Sequence, residues 1–349
     1  MLLDSLTLKL PEEKIRDQKA LARYRASRPH LSRFVPSTGE IEWQVCCRES
    51  SRSDSHGVTV YAGAELEISG SPSRSLGLPH NVFGTLDIQK AALAHIAAAE
   101  ALLGVELPRD FAEYRVSRID VTCNYHVGGP PEVRQHLAFL RQADGGRYKV
   151  ASKDETVYWS QGSRRRSGKA YAKAPHLRYQ IGKRQATASA LELEAMEGLL
   201  RLELKLGSKW WHEAQKPWWE FTAADLLSEH EAYFRGLIGT GEVVDMVDVR
   251  AALEGLVGRD DLFPGRVVTE GRVMAAHRTW CLIQAIGHQQ AKASMRKATW
   301  YDHLKLFNAA GLAWGDIASG SISPIRRRPL ILSQPIASLD ELLRIRNAA

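Results

Sequence analysis

The chain predicts an α+β fold: a central, mostly antiparallel sheet flanked by helices, followed by a helical C-terminal region. Three observations carry this. Segments of period-two alternation recur over the first 210 residues, without the regular strand–helix–strand rhythm of a parallel sheet. Short connections rich in Gly, Ser and Pro separate them. Beyond Trp210 the apolar spacing turns almost entirely helical as far as Asp316.

In chain order, Leu2 to Leu10 alternates apolar and polar residues and reads as a strand. "IEWQVCCRE" and "GVTVYAGAELEISGSP" read as further strands. "LPHNVFGTLD" is a turn entering a helix that Thr85 or Asp87 caps and Gly104 ends. "YRVSRIDVTCNYHV" is a strand, and "PPEVRQHLAFLRQ" is a helix opened by prolines. "DETVYWSQG" and "SGKAYAKA" form the arms of a hairpin joined by an arginine turn. "ATASALELEAMEG" is helical and "LLRLELKLGS" is a strand. Near the C-terminus, "RTWCLIQAIGHQQAKASMRKATWYDHLKLFNAAGL" holds two helical patterns joined around Gln290 to Ser294. That spacing suits a helix-turn-helix, with Arg296 and Lys297 early in the second helix. "SGSISPIRRRPLILSQP" reads as a loose basic linker.

Composition narrows the function. The 349 residues are 44% hydrophobic and 25% charged, as in a globular protein, with a net charge of +7. Between Gln161 and Trp210, eleven Lys and Arg face four acids, a surplus equal to that of the whole chain. Such a local excess is the footprint of a polyanion, nucleic acid first, or else a solvated basic face. The four cysteines form no C-x-x-C pair, which argues against a disulfide framework or zinc site and fits a reducing cytoplasm. The first residues do not read as a signal peptide, and no run approaches a membrane span, so no membrane partner is expected.

The strands carry the chemistry. Period two puts Arg118 and Asp120 on one face, and Arg201, Glu203 and Lys205 on one face, with leucines, Ile119 and Val121 opposite. Asp154 and Glu155 open "DETVYW" as further acids. These carboxylates either pair with basic neighbours across strands or hold a hard cation, Mg²⁺ or Mn²⁺. In an extended "GKAYAK", Lys169, Tyr171 and Lys173 share a face. Nearby cations favour a phenolate, so Tyr171 reads as a nucleophile toward a phosphodiester, with Lys173 offsetting charge on the phosphate. The plain alternative is a tyrosine packed at a sheet edge. Arg164, Arg165 and Arg166 at the hairpin tip suit backbone phosphates, and Lys169, Arg118, Arg201 and Lys205 are further candidates for DNA contact. The tryptophan pairs 210–211 and 218–219 read as packing.

In order and separation, "HNVFGTLD", "SRIDVTCNY", "TVYWSQGSRRRSGKAYAK" and "GLLRLELKL" resemble the replication initiators of filamentous bacteriophages, the gene II/X protein family. The resemblance runs to about Lys209. It implies an endonuclease with strand-joining activity that nicks one strand of origin DNA and starts rolling-circle replication. It places the nucleophile at Tyr171 beside Lys173, and the metal-binding acids at Asp120 and Glu203, and it favours Glu155 over Asp154 as the third acid. A host helicase, duplex and single-stranded origin DNA, and the bacterial host cytoplasm are implied with it. The implied organisation is a nicking domain over 1–210, a helical DNA-binding region over 211–320 and a basic tail over 321–349. Many rolling-circle nickases hold metal on two histidines two residues apart. None of the twelve histidines here has that spacing, so the metal falls to carboxylates, either with His80 or with His80 serving only as a turn or helix-entry residue.

Two other readings compete. A non-catalytic origin binder or repressor keeps the basic patch but leaves the acids without a task. A hydrolytic metal nuclease makes Tyr171 merely structural.

Overall fold

The computed structural model describes residues 1–46, 49–50, 57–142, 150–153, 156–238, 246–312 and 334–348. Its centre is a nine-stranded sheet: β1 (Leu2–Pro11), β4 (Glu49–Ser50), β5 (Val58–Ala62), β6 (Glu65–Gly70), β7 (Arg115–His126), β8 (Val150–Lys153), β9 (Thr156–Trp159), β10 (Arg166–Ala172) and β11 (Leu199–Gly207). The order is β4-β5-β6-β1-β7-β11-β10-β9-β8, and every pair is antiparallel. β2 (His30–Phe34) and β3 (Ile41–Cys46) form a separate ribbon.

Alternation decides which face is which. Leu6, Leu8 and Leu10, then Ile119 and Val121, then Leu202, Leu204 and Leu206 point to one side and are fully buried. Helices α3 (Ile88–Leu103), α4 (Pro130–Gln142) and α8 (Ala223–Ile238) contribute apolar side chains to the same core. Asp87 caps α3 by accepting from the Lys90 amide, and Gly104 ends it at a φ of 64° that costs other residues strain. The tryptophan pairs also join this core, with the Trp218 indole donating to Tyr114 O (2.9 Å). The boundary expected near residue 210 therefore falls inside one core, because Trp210, Trp218, Leu226 and Phe234 all pack against the sheet.

Residues 249–312 form a second core of their own from α9 (Met246–Glu254), α10 (Glu270–Ile286), α11 (His288–Ala293) and α12 (Lys297–Ala309). The joint between the two predicted helices is not where periodicity put it. Gly287, at φ 83°, breaks the first helix. Gln290 to Ala293 is itself helical, and the turn is Ser294–Arg296. Arg296 is thus the N-cap of α12.

The basic linker lies mostly outside the described residues, but the tail beyond it is structured. Ile336 bridges to Asn124 on β7, its amide donating to Asn124 O (2.8 Å), while Met1 N donates to Ile336 O (3.0 Å). A helix over Leu339–Ala348, α13, follows. Its Leu342 joins Val82, Ala174, Leu177, Met196 and Leu199 in a small core on the polar side of the sheet. Among the described residues no helix is long and apolar enough to cross a membrane.

Two buried histidines set an acid limit on the main core. Burial pushes His95 on α3 and His230 on α8 from 6.5 down to about 4. His230 Nε2 donates to Leu202 O (3.1 Å) and its ring faces Phe234. Both stay neutral in the fold, whereas the unfolded chain takes up protons near pH ~6.5. Stability is therefore fully present above about pH 6.5. It is lost as pH falls toward about 4, by up to roughly 1.4 kcal/mol per pH unit for each histidine. Thermal melts between about pH 7.5 and 4.5 should show a falling midpoint, and a midpoint that holds level would contradict this.

Candidate active site on the polar face of the sheet

Register brings the predicted residues together. Tyr171 on β10 lies opposite Arg201 on β11, and Lys169 opposite Glu203. Across the next ladder, Arg201 pairs with Asn124, Glu203 with Thr122 and Lys205 with Asp120 on β7. Neighbours in register share a face, so these side chains form one polar surface backed by the leucine core.

Tyr171 is the centre of the group. Its hydroxyl donates to Glu203 Oε1. Lys169 Nζ sits 4.0 Å from the ring centroid and 3.4 Å from Glu203 Oε2. The His176 ring meets the phenol edge-on at 5.3 Å. Only 3% of Tyr171 is exposed, while the Lys169 side chain is 30% exposed and closes the group toward solvent. Burial first, and then the Glu203 charge, raise the phenol well above its usual range, although Arg201 pulls the other way. The expectation that flanking lysines favour phenolate is thus reversed in this arrangement. Burial, together with the nearby Asp4 charge, also raises Glu203.

Lys173 is not on the strand. β10 ends at Ala172, its last residue paired with β11, and α5 (Lys173–Gly182) begins directly after it, with Pro175 in its first turn. Lys173 is fully buried, and its Nζ donates to Asn81 Oδ1 (2.8 Å). Desolvation, then Arg201, holds its ammonium well below the ordinary range.

Three members of the site were not found from sequence. Asn81 Nδ2 donates to Asp4 Oδ1 (2.6 Å). Arg201, expected to meet DNA, is instead fully buried; it donates to Asn124 Oδ1 (2.8 Å), Asn81 O (2.7 Å) and Val82 O (2.9 Å), and lies 3.6 Å from Asp4. Asp4 reaches the site through a register shift between Leu3 and Ser5. The doublets Leu2-Leu3 and Asp4-Ser5, which interrupt the alternation, were its signal. Asn81 sits in the "PHNVFG" turn and had no periodicity to mark it. Asn124, on the "CNY" strand, had the right parity but no charge to draw attention.

In this arrangement the described acids are engaged by neighbouring side chains. Arg118 Nε donates to Asp120 Oδ1 (2.8 Å) and Nη2 to Oδ2. The oxygens of Glu203 face Tyr171 and Lys169. Glu155 and Asp154 lie outside the described residues. Among those described, no three His, Cys, Asp or Glu side chains gather to hold a metal. His80 Nε2 instead lies 3.8 Å from Glu192 Oε1.

The arginine turn is built as expected, with Ser163 Oγ accepting from the amides of Arg165 and Arg166. Arg164 and Arg165 are exposed there. Arg165 pairs with Glu213 (2.7 Å) and Arg166 with Glu229 (3.3 Å). They are not beside Tyr171. Arg166 opens β10, so it lies roughly 17 Å from Tyr171 along the strand. Lys205 is half-buried next to Asp120, and Arg296 and Lys297 are exposed at the start of α12.

A family model for the N-terminal part of the phage replication-associated protein, the gene II product, matches residues 3–230. The replication-associated protein of Salmonella phage IKe is 31% identical over 149 residues, covering 40% of this chain and 35% of that protein. The replication-associated proteins of Enterobacteria phages f1 and M13 are each 27% identical over 206 residues, covering 51% of this chain and 50% of theirs. The chain thus spans about half, or less, of these relatives. A solved rolling circle replication initiator from Geobacillus stearothermophilus aligns over 65% of this chain and 78% of its own, at 10% identity and a TM-score of 0.30. That likeness is too distant to bear on the site.

Proposed function

Because the chain belongs to the family defined by the N-terminal region of the phage gene II replication-associated protein, we propose that it is a rolling-circle replication initiator. It nicks one strand of phage or plasmid origin DNA through Tyr171 and rejoins it. The single observation that carries this reading is the Tyr171 hydroxyl, held on Glu203 among Lys169, Arg201 and Asp4. A tyrosine placed only for packing has no need of so many charges around it.

Attack on phosphorus leaves a phosphotyrosyl bond that stores the ester for rejoining. Lys169 is the cation nearest solvent, so it, rather than buried Lys173, meets the incoming phosphate. The DNA must move Lys169 off the phenol ring to reach the hydroxyl. Lys173 instead fixes the Asn81 turn against Asp4. Arg164 and Arg165 follow the backbone away from the nick, and Arg296 and Lys297 touch duplex DNA through α12. Mg²⁺ or Mn²⁺ belongs in the assay because the sequence implies it, though no step is assigned to it. In this role the chain works in the bacterial cytoplasm on duplex and single-stranded origin DNA, beside a host helicase.

The test is supercoiled DNA of the replicon that encodes the chain, with Mg²⁺, scored for nicked circles and for protein bound covalently to DNA. A nick without any adduct supports the hydrolytic nuclease. DNA binding with neither product supports the origin binder. Salt offers a second check. If binding rests on the cations between Arg164 and Lys209, affinity should fall about 10³-fold or more between ~50 and ~200 mM salt. A response flatter than about tenfold would rule that surface out.

A further inference from the structure

A phenol, with its usual pKa near ~10, must lose its proton before or during attack. The group that takes the proton has to touch the hydroxyl. Arg201, opposite Tyr171 in register, has only donors to offer. Lys169 lies over the ring rather than at the oxygen. The acceptor at the hydroxyl is Glu203 Oε1. Glu203 is diagonal to Tyr171 across the β10–β11 ladder, an arrangement set by backbone register and by Lys169 on its second oxygen.

Building on the reading above, we propose that Glu203 is the catalytic base of the cutting step rather than a cation ligand. Glu203 Oε1 takes the Tyr171 proton as the phenol oxygen bonds to phosphorus. The P–O3′ bond breaks, and the departing 3′ oxygen takes a proton from solvent on the open Lys169 side. In rejoining, the 3′ hydroxyl gives its proton to solvent and attacks phosphorus. The P–O bond to Tyr171 breaks, and the phenol recovers its proton from Glu203.

The experiment is a single-turnover assay of covalent adduct on the same supercoiled DNA, with Mg²⁺ varied. Glu203→Gln keeps a hydrogen-bond acceptor but cannot take the proton. Its adduct rate should fall about 10²- to 10⁴-fold, with the Mg²⁺ dependence unchanged. Trifluorotyrosine at position 171, a more acidic phenol, should restore about tenfold or more in the Gln background and change the wild type by less than about threefold. A Gln variant within about twofold of wild type would overturn the proposal, as would a loss that excess Mg²⁺ or Mn²⁺ restores. If the Gln variant does not fold, the fluorotyrosine series in the Glu203 protein decides. A weak dependence on phenol acidity is expected there, and a rise of tenfold or more overturns it. A wild-type chain that forms no adduct sinks the underlying reading before Glu203 is touched.

Discussion

Replacing Tyr171 with Phe will abolish the protein–DNA adduct and leave the fold standing. The hydroxyl is the only atom removed, and it is the atom that attacks. Loss of a nucleophile lowers turnover by about 10⁴-fold or more. The ring keeps its edge contact with His176 and its place under Lys169. What the fold loses is one donor to Glu203 Oε1, a cost of about 1–3 kcal/mol for an acceptor left unpaired. Lys169, 3.4 Å from the other oxygen, offsets part of that. Adduct on a denaturing gel and a thermal melt separate the two effects. Unchanged adduct formation would move the nucleophile to another residue.

Arg201→Leu is expected to be the most destabilising single change in the site. Arg201 is fully buried and spans the sheet and the turn before α3. Leucine fills part of the volume and loses no hydrophobic burial. It strands Asn124 Oδ1 and the Asn81 carbonyl, while Val82 O keeps only the Asn124 amide, and it leaves Asp4 without its guanidinium neighbour at 3.6 Å. Removing one partner of a buried charge network costs about 3–5 kcal/mol, which outweighs any packing gain. At ~2–4 °C per kcal/mol for a domain of this size, the melting midpoint should drop by roughly 6–20 °C. A drop below about 2 °C would show that water already satisfies these groups. Adduct formation should fall as well, since the Asn81 turn and Asp4 lose their anchor.

Much of the sheet was legible because alternation is a direct record of a two-sided environment. "SRIDVTCNY" and "LLRLELKL" announced both their apolar faces and the side on which Asp120, Arg201 and Glu203 would stand. Gly104 and Asp87 marked both ends of α3 in the same way. Periodicity misled where a local event broke it. Lys173 has the parity of Tyr171, yet the strand stops one residue earlier and a helix carries it into the interior. The joint between the two predicted helices shifted because a single glycine at positive φ ended α10.

The resemblance of a motif singled out Tyr171 among the ten tyrosines, and what spacing by itself determined is the set of strands and the polar face they share. Those follow from spacing, which is local. The tertiary structure decided how that tyrosine is held: on a carboxylate rather than between free lysines. It also brought in Asp4 through a register shift, Asn81 from a turn and Ile336 from the far end of the chain. Proton affinity inside a protein depends on desolvation and on charges arriving from distant segments, and neither is written in the neighbours of a residue along the chain.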